Sequence, residues 1–193
     1  MFEYIKARLV ELSPTHAIMD NNGLAYFINI SLNTYSQLKE GEQTTLFLQQ
    51  IVREDAHLLF GFADKVEREV FRLLITVSGI GANTARMMLS SLSTSEIKSA
   101  IETDNVNVLK SIKGIGLKTA QRVIIDLKDK IGKANVGEDI FASSGNTKRE
   151  EALSALVMLG FNKPAIEKVL DKITSEIANT SVEELIKHAL KRL

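Results

Sequence analysis

Cysteine is absent from the chain, and its absence excludes disulfides, thiolate metal sites, cysteine nucleophiles and cysteine-bound iron–sulfur clusters. Histidine is scarce: His16, His57 and His188 are scattered and form no ligand pattern, so the sequence asks for no metal or other cofactor. No apolar run approaches the length of a membrane span, and residues 1–12 lack the basic-then-apolar plan of a signal peptide. A cytoplasmic chain without membrane contact is the expectation. Net charge is missing too, with 24 basic and 24 acidic residues. Taken whole, that balance argues against a nucleic-acid partner, which usually leaves a basic footprint. Its distribution reverses the argument: residues 1–64 hold 4 basic and 8 acidic groups, 65–133 hold 12 and 7, and 134–193 hold 8 and 9. Positive charge is concentrated in the middle third.

What is present is enough apolar residue, 45% of 193, to bury real cores. The first third alternates in short runs, Phe2–Val10, Thr15–Asp20, Leu24–Ile30, Thr44–Ile51 and His57–Phe62, divided by turn chemistry at Asp20-Asn21-Asn22-Gly23 and Glu40-Gly41. Five short strands predict a small barrel, OB-like or SH3-like. From Asp64 the period becomes helical, with Val66, Val70, Phe71, Leu74 and Ile75 on one face. Helical patterning runs to about Ile131, interrupted at Ser78-Gly79-Ile80-Gly81, at the capped start Ser93-Thr94-Ser95-Glu96 and at Lys113-Gly114-Ile115-Gly116. Small and polar residues without periodicity follow and read as a flexible linker. Three short helices close the chain, over Lys148–Leu159, Pro164–Ser175 and Ser181–Leu193. The organisation expected is multidomain α+β: a barrel over 1–64, an all-α domain over 65–133, a linker over 134–146 and a three-helix, UBA-like module over 147–193.

A shift of 35 residues superposes Leu74 on Leu109, Gly79-Ile80-Gly81 on Gly114-Ile115-Gly116, and Thr84-Ala85 on Thr119-Ala120. Two copies suggest a paired motif, since helical solenoids need three or more units. Each copy reads helix, Gly-apolar-Gly, helix. The glycines allow positive φ and close approach of a ligand to the backbone, while the central isoleucine plugs the turn into the core. At the start of the next helix, N–H groups without intrahelical partners and the positive end of the dipole favour a phosphate. The backbone-binding set is then Gly79, Gly81, Ala82, Asn83 and Thr84, with Gly114, Gly116, Leu117, Lys118, Thr119 and Arg122. A phosphate-binding P-loop does not fit, because neither site carries Lys-Ser or Lys-Thr at the required spacing.

These copies resemble the helix-hairpin-helix family, whose paired hairpins grip the DNA backbone across the minor groove. Longer stretches resemble the RuvA family: Asn22-Gly23-Leu24-Ala25-Tyr26, the run Val52 to Phe62, both hairpins, Ile125-Asp126-Leu127-Lys128-Asp129, and Ala155-Leu156-Val157-Met158-Leu159-Gly160-Phe161. The resemblance implies an OB barrel, a tandem hairpin domain and a mobile linker to a module that contacts the RuvB ATPase. It further implies a homotetramer or octamer around a four-way (Holliday) DNA junction, with hydrolysis of ATP left to RuvB, and RuvC as a further partner. It matches Glu54 and Asp55 to an acidic pair at the junction centre, which would repel phosphates there; a solvated charged turn is the plainer reading. Leu156, Leu159 and Phe161 would form the partner-binding patch, although helix faces ordinarily bury such residues as core.

Two departures stand out: Asn83 and Leu117 occupy positions where many family members have lysine, so backbone amides, Lys118 and Arg122 would carry more of the affinity, with a shallow salt dependence. One rival is enzymatic, because Lys118 sits where helix-hairpin-helix glycosylases keep a nucleophilic lysine. The carboxylate those enzymes need would fall at Val136, and a cysteine-bound cluster is impossible here. Another rival is a module that merely tethers a DNA enzyme.

Overall fold

A computed structural model of the chain describes residues 2–131, 148–176 and 181–193. Two compact units divide it, Met1–Gly137 and Glu138–Leu193.

The first unit begins with strands β1 (Tyr4–Leu12), β2 (His16–Asn21) and β3 (Leu24–Ile30), then the single-turn helix α1 (Leu32–Tyr35), then β4 (Gln43–Val52) and β5 (His57–Phe62). Alternation does what the sequence pattern implied: Ile5, Ala7 and Leu9 of β1 point inward with Ala17, Met19, Ile28, Ile30, Leu46 and Leu48, while Tyr4, Lys6, Arg8 and Val10 face out. The strands close in the order β1-β2-β3-β5-β4, with β1 pairing back onto β4 through Tyr4↔Phe47 and with one parallel pairing, Asn29↔Phe60 and Ile30↔Gly61. The barrel is the OB-like one, and closure leaves no free edge. Its interior is tight enough that a Cβ on Gly61 would lie 2.5 Å from Ile28 Cγ2.

Helices α2 (Lys65–Ile75), α3 (Ala82–Ser91), α4 (Thr94–Glu102), α5 (Val106–Lys110) and α6 (Leu117–Ile131) follow. Asp64 starts α2 by accepting the Glu67 N–H at 2.7 Å. Val70, Phe71 and Leu74 are buried with Ile80, Met88, Leu89, Ile101, Ile115 and Leu127, each such side chain stabilising the fold by roughly 1.5–3 kcal/mol. Phe60 and Phe62 of β5 join this core, their rings 5.1 and 5.0 Å from Phe71. Barrel and helices therefore share an interior and form one unit.

Polar contacts reinforce that seam. Glu67, buried on α2, accepts hydrogen bonds from the Ser31 and Thr34 hydroxyls, the latter at 2.6 Å, and Thr34 Oγ1 in turn accepts the Ala63 N–H. Burial pushes the Glu67 carboxyl above its ordinary 4.5, the two hydroxyls pulling the other way without prevailing. Arg68 donates to the Glu3 carbonyl at 2.8 Å and to its carboxylate at 2.6 Å, which ties the first strand to α2.

The second unit is a three-helix module of α7 (Lys148–Met158), α8 (Lys163–Glu176) and α9 (Val182–Leu190). Ala152, Leu156, Ile166, Leu170, Ile173, Leu185 and Ala189 make its core, and Ser181 and Glu184 cap α9 reciprocally. Leu156 is wholly buried there, so its part is packing, because its side chain has no surface to offer a partner. The expected linker, 134–146, lies outside the described residues.

Candidate nucleic-acid interface

The two hairpins are built alike from the hydrogen bonds upward. Ile80 N–H donates to the Val77 carbonyl at 3.0 Å and Ile115 N–H to that of Ile112 at 3.1 Å; one residue before each isoleucine the chain turns through a left-handed glycine, Gly79 at φ 94° and Gly114 at φ 89°. Ile80 and Ile115 are buried, as the repeat required. Beyond each plug the chain emerges at Gly81 and Gly116, whose carbonyls accept the Ala85 and Ala120 N–H at 2.9 Å and so begin α3 and α6.

These helix starts differ from those of α1, α2, α4, α5 and α9. Ser31, Asp64, Ser93, Asn105 and Ser181 each use a side-chain oxygen to occupy an amide at the start of their own helix. Gly81 makes no such bond, and neither it nor Gly116 has a side chain to do so. The first amides of α3, on Ala82, Asn83 and Thr84, and of α6, on Leu117, Lys118 and Thr119, are left for an acceptor from outside. Nothing lies within 4 Å of where a Cβ would stand on Gly79, Gly81, Gly114 or Gly116, so an incoming oxygen meets no protein there. Glycine at 81 is not imposed by backbone strain, since φ is −85°. Its small size keeps the approach clear.

Charge is divided unequally between the two. No ionisable side chain occurs from Val77 to Ala85, whereas the second hairpin carries Lys110, Lys113, Lys118 and Arg122. Arg122 leans from α6 to the first hairpin and donates to the Ser78 carbonyl at 3.5 Å, which brings the two loops together. Glu54 and Asp55 stand exposed on the turn joining β4 to β5, closed by Arg53 N–H to the Ala56 carbonyl at 2.8 Å just beyond the last pair, Val52↔His57.

Comparison with known proteins meets this geometry segment by segment. The profile of the RuvA N terminal domain matches residues 1–61, that of the SAM-like helix-hairpin-helix tandem residues 71–129, and that of the RuvA C-terminal domain residues 147–193. Proteins named Holliday junction branch migration complex subunit RuvA are similar throughout: that of Christiangramia forsetii is 50% identical over 193 residues, that of Bacteroides thetaiotaomicron 52% over 202 and that of Flavobacterium psychrophilum 50% over 193, with all of both chains covered in every case. The chain belongs to the RuvA family.

Membership accounts for the order of barrel, paired hairpins and three-helix module, and it favours DNA binding over the glycosylase reading of Lys118. Val136, the position that reading needed as a carboxylate, is valine and lies outside the described residues. Among the described residues there is no cluster of three or more metal-ligating side chains and no helix long and apolar enough to cross a membrane. In the RuvA C-terminal domain, Leu159 is 61% and Met158 86% exposed, with Val157 and Phe161 beside them, while Leu156 is core. Sequence reasoning named Leu159 and Phe161 but not Met158 or Val157.

It also missed how the first hairpin is fastened. Arg86 of α3 donates to the Thr15 carbonyl at 3.0 Å and to Asn29 Oδ1 at 3.1 Å; Asn33 donates to the Leu89 and Leu92 carbonyls at 2.6 and 3.1 Å. Partners 56 to 71 residues apart leave no periodic trace.

Proposed function

We propose that the chain is the DNA-recognising subunit of a branch-migration complex, binding four-way junctions by structure and not by sequence and catalysing no reaction itself. The observation that carries this is the pair of helix starts at Gly81 and Gly116, unoccupied by any cap, unobstructed, and tied together through Arg122 and Ser78. Main-chain amides read no base, so the grip is indifferent to sequence. Each arm of a junction would be held at Ala82, Asn83, Thr84, Leu117, Lys118 and Thr119, with Lys118 and Arg122 supplying charge. The names of the full-length relatives support the junction as the substrate. A four-fold assembly would gather four copies of Glu54 and Asp55 at the crossover, where their charge repels phosphates and discourages continuous duplex. The exposed Val157, Met158, Leu159 and Phe161 would meet the hexameric ATPase RuvB, which would supply the work; RuvC would act on the same junction.

Competition in a gel shift between a four-way junction and a linear duplex of the same sequence tests this reading. Preference for the junction is expected, with a rise in duplex binding when Glu54 and Asp55 are both made neutral. Equal affinity of the unaltered protein for the two DNAs rejects junction recognition, and unchanged duplex binding in the neutral variant rejects the repulsion.

A further inference from the structure

We propose that Arg86 is a positioning residue: acting through Asn29, it fixes the first phosphate cradle in attitude to the strand that rises from the acidic turn, and thereby couples the grip on an arm to exclusion at the crossover. The inference rests on the junction-binding reading above. Its physical basis is a continuous set of hydrogen bonds. The Arg86 guanidinium, one helical turn along α3 from the amides of its first turn, donates to Asn29 Oδ1 at 3.1 Å and to the Thr15 carbonyl at 3.0 Å. Asn29, on β3, donates in turn from Nδ2 to the Leu59 carbonyl at 3.1 Å. Leu59 belongs to β5, two residues beyond His57, where that strand leaves the turn bearing Glu54 and Asp55. Cradle and Arg86 share one helix, and two directional hydrogen bonds, Arg86 to Asn29 and Asn29 to Leu59, carry the connection on to the acidic strand.

The far end of α3 is fastened as well. Asn33 occupies its last carbonyls, and Ser90 Oγ accepts the Leu32 N–H at 3.1 Å. Among the described residues α6 makes no side-chain hydrogen bond to the barrel, its side chains reaching Ser78 and Asp104 instead. The first hairpin is therefore the one whose orientation the barrel dictates, and it is also the one without an ionisable side chain of its own from Val77 to Ala85. Arg86 is half-buried, finds no carboxylate within ion-pair reach among the described residues, and spends its donors on two neutral acceptors. This is the arrangement of a brace.

The test compares the full-length unaltered protein with Arg86→Ala, Arg86→Lys and Asn29→Ala, measuring affinity for a four-way junction and for linear duplex at several salt concentrations, together with melting temperature. Because simultaneous engagement of several arms depends on geometry while a single arm does not, Arg86→Ala and Asn29→Ala should each lower the junction-over-duplex ratio about tenfold, with duplex affinity held within about twofold. Arg86→Lys, able to reach one acceptor, should fall between. The salt dependence on duplex should not change. Loss confined to Arg86→Ala with a shallower salt slope identifies a direct phosphate contact and overturns the proposal; so does a fall in melting temperature with the ratio preserved, which marks a purely structural residue. Absence of any junction preference in the unaltered protein is a separate result, which removes the parent reading and this inference together.

Discussion

At Gly81 and Gly116 one added hydroxyl group would decide whether a helix start caps itself or stays open to the proposed ligand. Serine at either position would find open space and, at Gly81, an ordinary backbone conformation, and its oxygen would fold back onto an amide of the first turn, as Ser93 and Ser181 do elsewhere in the chain. Serine outranks glycine as a cap by only a few tenths of a kcal/mol, so Gly81→Ser and Gly116→Ser together should hold or slightly raise the melting temperature. On the proposed reading the same oxygen would block a phosphate. Hydrogen bonds to charged groups are worth roughly 1.5–3 kcal/mol, so duplex affinity measured by fluorescence anisotropy should drop by about tenfold or more. A stable double variant that binds as well as the parent would show that these amides are not the contact.

At the scale of elements, Glu67 makes the joint between α1 and α2 sensitive to pH. Because burial raises its carboxyl above 4.5, the folded state holds this proton more tightly than the unfolded chain. Its contribution to stability is fully present below pH 4.5 and is lost as pH rises through the folded value. Glu3, held down by its hydrogen bond to Arg68, and Glu96 and Glu184, held down by backbone and side-chain bonds to Ser93 and Ser181, act oppositely: their contribution is present above 4.5 and lost below it. The windows do not overlap. Urea unfolding of Glu67→Gln beside the unaltered protein should therefore show a stability difference that moves in favour of the unaltered protein as pH falls from neutral towards 4.5. A difference constant across that range would mean that Glu67 does not titrate there. Helix α1 itself shows where sequence reading stops. The five strands and the long helices were legible because alternation and the 3.6-residue period repeat many times, and both hairpins because they occur twice. A single turn over Leu32–Tyr35 is too short to show a period, and its purpose, presenting Ser31 and Thr34 to Glu67, depends on residues more than thirty positions away. Arg86 escaped for the same reason. Leu156 and Leu159 share one apolar run, and only the packing of α7 against α8 and α9 separates core from surface.

At the scale of the whole molecule, that separation makes two roles separately testable, folding for Leu156 and the proposed docking for Leu159. Leu156→Ala removes a fully buried side chain and should destabilise the three-helix module by about 2–5 kcal/mol. Leu159→Asp should leave the melting of the full-length protein and its junction affinity unchanged while abolishing capture of the ATPase on a junction, read by light scattering of the mixed complex. Retained capture would exclude the exposed apolar run as the docking surface. The hairpins add a consequence for how such a protein tolerates change. A grip made by the peptide main chain is inherited with the fold itself, and nearly every replacement of a neighbouring side chain preserves it. On the proposed reading, a survey that trims side chains one by one would register only the charge lost at Lys118 and Arg122, and substitutions that add atoms to the hollow would be needed to reveal the rest of the contact.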